Sequence, residues 1–263
     1  MHIFSDQTGR SIQLEKTPER IISIVPSQTE LLYDLGLDKE VVGISKFCVH
    51  PESWFKTKTR VGGTKQLKME IIHKLRPDLI LANKEENVKE QVEELEKHYP
   101  VWISDVKTMH DARYMIQGVG KITGKERKAS DLIIQIDDAF SKLEIPDPRP
   151  KAAYLIWQNP FMTAGGDTFI HDMMETAGFE NIFSDRLRYP EISLEQLSIA
   201  HCQLLLLSSE PFPFKQNHIN ELQPYLPDKK IILVDGEMFS WYGSRLLKAP
   251  FYFQKLQQQV FDR

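Results

Sequence analysis

The 263-residue chain has only two cysteines, Cys48 and Cys202, and no apolar run approaching the roughly 18 residues that a membrane-crossing helix needs. Two thiols so far apart in sequence make no disulfide framework, so nothing requires an oxidising compartment. Both are expected to be free. The opening stretch "MHIFSDQTGRSIQLEKTPERIISIV" lacks a basic start followed by an apolar run. The chain as written therefore carries no secretory signal, and either a leaderless protein or one whose leader has been removed is expected. Basic excess is lacking too: 33 Lys and Arg against 37 Asp and Glu give a net charge of -4 and a pI near 6.1. That argues against nucleic acid as a partner, since such binders display a concentrated basic face. The one basic cluster, "GKERKAS" at 124–130, interleaves with apolar residues at helical spacing and reads as a solvated helix side. No second Cys/His cluster of structural-zinc type occurs.

What is present is an ordinary globular composition, 41% hydrophobic and 27% charged, enough for a sizeable core. Short β-branched or aliphatic runs, "RIISIV" (20–25), "EVVGIS" (40–45), "DLILA" (78–82) and "PVWIS" (100–104), alternate with helical patterns, as buried parallel strands of an α/β layer do. Ser27 three residues before Glu30 in "PSQTELLYDLG" reads as a capping box for a helix over 28–35, stopped by Gly36. Strand signals resume at "AAYLIW" (152–157), "QLLLLSS" (203–209) and "KIILVD" (230–235). Between the two sets, apolar residues from Ala112 to Leu143 recur every three or four positions, predicting one amphipathic helix of roughly 33 residues. Gly118, Gly120 and Gly124 weaken its middle, so a break near 124 is the competing expectation.

The expected fold is thus α/β, with two Rossmann-like lobes of parallel sheet, 1–107 and 147–263, joined by a long backbone helix within 108–146. "KMEIIHKLRPDLILA" overlies "SLEQLSIAHCQLLLL" with Glu70 opposite Glu195, an echo in which each half has a glutamate opening a helix that runs into a buried strand. The segment "SKFCVHPESWF" (45–55) raises four readings, half of a metal site, half of a disulfide, a Cys48 nucleophile with His50 as base, or a pocket wall, of which the disulfide is unsupported. No oxyanion-hole motif or third orienting group accompanies the pair, and the other histidines fall mostly in predicted helices without ligand spacing. "GGDTFIHDMMETAG" admits an anion-loop reading but lacks the lysine and spacing of a Walker sequence, so a tight turn into a helix is the better account.

Taken in order, "RIISIVPSQTELLYDLGL", "VGISKFCVHP", "RVGG", "MEIIHKLRPDLILA", the 108–143 helical pattern, "AGGDTFIHDMMETAGFENIF", "YPEISLEQL" and "LLSSEPFPF" make the chain resemble the helical-backbone substrate-binding proteins of ABC importers, the group that includes vitamin B12- and iron-siderophore-binding proteins. The resemblance implies a binding protein rather than an enzyme. It implies a metal chelate, siderophore or corrinoid, taken up in a cleft between the lobes, with no covalent cofactor. It further implies a monomer that delivers to a permease dimer and its ATPase, with a periplasmic or membrane-associated location. Open α/β sheets place ligands at the carboxyl ends of their strands. By motif position the expected contacts are Ser27, Phe47, Cys48, His50 and Thr64 from the first half, and Trp157, Phe161, Tyr189, Trp241, Tyr242 and Arg245 from the second.

Glu70 and Glu195 match the family positions that meet arginines of the permease, and Glu210 is a rival acidic position. The vitamin B12-binding members carry an aromatic where this chain has Thr64, a departure that weakens cobalamin in particular. Two alternatives stand beside this reading: a bare-metal receptor using His50, and a cytoplasmic carrier or sensor on the same scaffold.

Overall fold

The computed structural model describes residues 2–261; the outer ends of the expected spans 1–107 and 147–263, at Met1 and at Asp262 and Arg263, lie outside them. The chain divides into two compact units. The first takes the chain up to Val106 together with His110–Asp137 and Tyr242–Arg245; the second takes Lys107–Met109, Asp138–Trp241 and the chain from Leu246 on. Where the sequence suggests a separate helical segment over 108–146, most of that segment packs as part of the first unit.

In the first unit, β1 (His2–Ser5) and β2 (Ser11–Leu14) form an antiparallel hairpin. There follow β3 (Ile21–Ser23), α1 (Pro26–Asp34), β4 (Val41–Ile44), α2 (Glu52–Thr57), β5 (Thr59–Arg60) and the small hairpin β6 (Gly62–Gly63) with β7 (Gln66–Leu67). Then come α3 (Met69–Leu75), β8 (Leu79–Asn83), α4 (Lys89–Glu96), β9 (Val101–Ser104), α5 (Met109–Ile122) and α6 (Glu126–Ser141). The sheet order is β5-β4-β3-β8-β9, parallel throughout. Ile21, Ile22, Leu79, Ile80 and Leu81 are wholly buried, as expected of strands covered on both faces, and each contributes about 1.5–3 kcal/mol.

Helix α1 corrects one expectation. It starts at Pro26, whose fixed φ suits the first helical position, and its N-cap is Val25 with no side-chain cap, so Ser27 and Glu30 form no capping box. Its stop is as expected, at Gly36 with φ +79°.

The central helical span is divided. Gly124 adopts φ +69°, Lys125 N donates to Gly120 O at 2.7 Å, and Gly124 N donates to Lys121 O at 3.3 Å, a Schellman end to α5. Arg113 Nε then donates to Asp137 Oδ1 at 2.6 Å, and Gly120 faces Ala129, so α5 and α6 lie antiparallel as a helical hairpin. Of the two expectations for this span, the break near 124 is the one realised. Its apolar stripe (Ala112, Met115, Ile116, Val119, Ile122, Ala129, Ile136) is buried as the periodicity predicts.

The second unit contains β10 (Lys151–Trp157), β11 (Phe161–Thr163), α7 (Phe169–Thr176), β12 (Glu180–Asn181), β13 (Glu191–Ile192), α8 (Leu194–Ile199), β14 (Leu204–Ser208), α9 (Gln216–Leu222), β15 (Lys230–Val234), α10 (Glu237–Ser240) and α11 (Ala249–Phe261). Its sheet runs β13-β11-β10-β14-β15, with β12 also beside β10. The expected parallel core is β10-β14-β15, and it is extended by antiparallel β11 and β13. The three-residue link between β10 and β11 is too short for a crossover, so β11 can only return antiparallel. The two parallel cores share one order, β3-β8-β9 and β10-β14-β15, which gives the internal echo a structural counterpart.

Candidate functional site

At the carboxyl ends of β3, β4 and β8 the first unit gathers small polar side chains. The Cys48 thiol is wholly buried, accepting from Thr29 Oγ1 at 3.0 Å and lying 3.2 Å from Ser45 Oγ. Burial pushes that thiol up to about 11, so it is no thiolate at neutral pH. The nucleophile reading thus loses its reactive species, and Cys48 stands behind the surface rather than on it. Phe47, its neighbour, is 50% exposed, with Lys46 Nζ 4.9 Å from the ring centroid. His50 and Thr64 are half-buried, and the Thr64 carbonyl accepts from Asn87 Nδ2 at 3.2 Å.

Ser27, Tyr242 and Arg245 are buried. Arg245 makes a two-pronged ion pair with Glu30, Nε to Oε2 and Nη2 to Oε1, both at 2.8 Å. The Tyr242 hydroxyl donates to Glu86 Oε1 at 2.5 Å, and burial with the Glu86 carboxylate alongside holds the phenol well above its usual range.

The second unit presents Trp157, 40% exposed at the last position of β10 and edge-on to Phe212 at 5.7 Å. Phe161 and Phe212 pack half-buried against the core. Tyr189 is half-buried, with the Arg188 guanidinium 5.7 Å over its ring. Trp241 is buried; its indole N–H donates to Glu210 Oε1 at 2.9 Å, and Ser240 Oγ donates to the same oxygen at 2.6 Å. Burial raises the Glu210 carboxyl above its ordinary value. Glu210, half-buried just past a strand end, thus serves as an acceptor for two neighbouring side chains of its own unit.

Glu70 and Glu195 are both exposed, and each is the second residue of a short helix, α3 and α8, that leads into a core strand. Helix α8 carries a true capping box, with Ser193 Oγ accepting from Gln196 N at 3.0 Å and Gln196 Oε1 accepting from Ser193 N at 2.9 Å. The glycines of "AGGDTF" are committed elsewhere: Gly165 N donates to Arg188 O at 2.7 Å and Gly166 N to Arg186 O at 2.8 Å, so their amides build a turn rather than an anion loop.

Among the described residues no three His, Cys, Asp or Glu side chains are grouped to hold a metal ion. A groove of about 560 Å³ in the first unit is lined by Ile3, Phe4, Trp102, Tyr114, Lys121 and Glu126, none of them a site candidate.

Missed by sequence reasoning were Glu30, Glu86 and Phe212. "NKEEN" (83–87) held a signal for the second: Asn83 Oδ1 accepts from Glu85 N at 2.8 Å and Glu86 N at 3.0 Å, an Asx turn that sets the direction of Glu86.

The chain thus holds two α/β units whose parallel cores share one strand order, each with an exposed aromatic at a strand's carboxyl end. Residues 21–224 match the family described as periplasmic binding protein, and the chain belongs to that family. It is 28% identical over 250 residues to the vitamin B12-binding protein of Yersinia pestis (strain Pestoides F), covering 92% of this chain and 86% of that one. Among solved structures it resembles a possible iron-binding (periplasmic solute-binding) protein from Staphylococcus epidermidis, with TM-score 0.78, 24% identity and coverage of 94% and 100%. It also resembles the periplasmic catecholate-siderophore binding protein of Vibrio cholerae, with TM-score 0.80, 16% identity and coverage of 97% and 99%. No described helix is long and apolar enough to cross a membrane.

Proposed function

We propose that this protein is the ligand-capturing component of an ABC importer, that its ligand is a metal chelate of the iron-siderophore or corrinoid kind, and that it delivers this ligand as a monomer to a permease dimer and its ATPase outside the cytoplasmic membrane. The observation that carries the reading is the pair of exposed rings, Phe47 three residues beyond the carboxyl end of β4 and Trp157 at the last position of β10. Open α/β sheets bind ligands at that end, and exposed aromatics there suit a ligand with large apolar faces. His50, Thr64, Phe161 and Tyr189 are the polar and aromatic groups assigned to the same faces. Ser27, Cys48, Trp241, Tyr242 and Arg245 support them from behind, since each is buried. Thr64 in place of an aromatic favours a siderophore over a corrinoid. Glu70 and Glu195 are assigned to the permease, where two exposed carboxylates register a basic partner and raise the on-rate more than the affinity.

The test is equilibrium titration of the purified protein with ferric tris-catecholate, ferric hydroxamate, hemin, cyanocobalamin and the free ions Fe³⁺ and Zn²⁺. Micromolar or tighter binding of a chelate supports the reading. Tight binding of a free ion alone, lost in His50→Ala, overturns it.

A further inference from the structure

Residues 242–245 lie in the first unit although they follow α10 late in the chain, and they reach the carboxyl ends of its core strands. Three features hold them there. The Arg245 guanidinium is clamped by Glu30 on α1, with both side chains 7% exposed. The Tyr242 hydroxyl donates to Glu86, on the turn after β8. Between them Gly243 passes so close to α1 that a Cβ there would stand 2.7 Å from the Ser27 carbonyl oxygen, so no larger residue fits. Among the described residues, Ser27 Oγ and Gln28 Oε1 on α1 and Ser244 Oγ on the strap itself are buried without a well-formed hydrogen bond. Burying polar atoms in this way is a cost that the contacts holding the strap must offset. The ion pair and the phenol–carboxylate bond favour the seated strap.

We infer that Glu30 and Glu86 are positioning residues that latch the strap 242–245 over the strand ends of the first unit, so that the face carrying Phe47 and His50 is already formed when ligand arrives. The latch acts through Arg245 and Tyr242, and its bearing on ligand capture rests on the function proposed above. The latch itself stands without that reading, since every contact in it lies within one unit of the ligand-free protein.

A thiol placed by Ser244→Cys reports the strap, because Ser244 Oγ has no bond to lose and both native cysteines are buried. Its maleimide labelling rate is measured alone and combined with Tyr242→Phe, Glu86→Ala and Glu86→Gln, each checked for an unchanged circular dichroism spectrum. Labelling is expected to be slow in Ser244→Cys alone, to rise at least tenfold with Tyr242→Phe or Glu86→Ala, and to stay slow with Glu86→Gln, whose amide oxygen still accepts from the phenol. That rescue separates a latch from a general loss of packing. Equal rates in all four proteins, or labelling in Ser244→Cys as fast as in an unfolded control, would overturn the inference. Hemin and cyanocobalamin titrated against the same proteins test the ligand reading separately: failure of both to bind the parent protein leaves the labelling result standing.

Discussion

Cys48 and Glu210 show how burial assigns a residue its part. Both hold their protons more tightly in the folded chain, the thiol up to about 11 and the carboxyl above about 4.5. At pH 8 a thiol at 11 is ionised to only about one part in 1000, so Cys48 is expected to resist iodoacetamide in the native protein and to react fully in urea. Rapid native alkylation would show that the segment 45–50 opens. For Glu210 the sign follows from linkage. An acid that keeps a proton the unfolded chain releases adds stability that is complete below about 4.5 and is lost as pH rises through its folded value. The wild-type melting temperature minus that of Glu210→Gln is therefore expected to fall across that window; a rise would contradict the assignment. Glu30 was legible only as a local cap, because nothing near it announces a partner 215 residues away. Removing one partner of that buried pair, as in Arg245→Met, is expected to cost about 3–5 kcal/mol in urea unfolding. Glu30→Met with Arg245→Met is expected to recover most of it, because no buried charge is then left alone.

Among the elements, the core strands were legible to within a residue or two, since apolar runs bounded by turn residues mark strands buried on both faces. The hairpin of α5 and α6 was not, because a stripe of period 3.6 reads the same whether the helix runs on or doubles back. Gly124 was the one local signal, and its φ of +69° explains why. Gly124→Ala, which forces a side chain into the left-handed region beside Thr17, is expected to destabilise by about 1–2 kcal/mol. Gly120→Ala, which drives a methyl into Ala129, is expected to cost about 1–3 kcal/mol. Had α5 and α6 formed one continuous helix, both substitutions would stabilise it instead, and urea midpoints decide between these outcomes. Antiparallel β11 and β13 escaped notice because β-strands of two or three residues carry no periodicity to read.

At the scale of the whole molecule, family and fold were legible because eight loose motifs occur in order, whereas the exposure of the individual candidate side chains was only partly so. Sequence position finds the loops at strand ends. It does not tell which side chains in a loop point outward, so Phe47 and Trp157 are exposed while Cys48, Trp241 and Arg245, equally plausible by motif, are interior. The two glutamates make a prediction independent of ligand chemistry: Glu70→Ala with Glu195→Ala is expected to abolish stimulation of the partner ATPase while ligand affinity stays within about threefold, below 1 kcal/mol. Lost ligand affinity would place them at the ligand instead. The most direct test of ligand capture is calorimetric titration of the tightest-binding chelate into wild type, Phe47→Ala and Trp157→Ala. On the proposed function each ring would contribute about 1 kcal/mol or more of apolar contact and stacking, so both variants are expected to bind at least about fivefold more weakly with unchanged stoichiometry. Wild-type affinity in both variants would contradict the account.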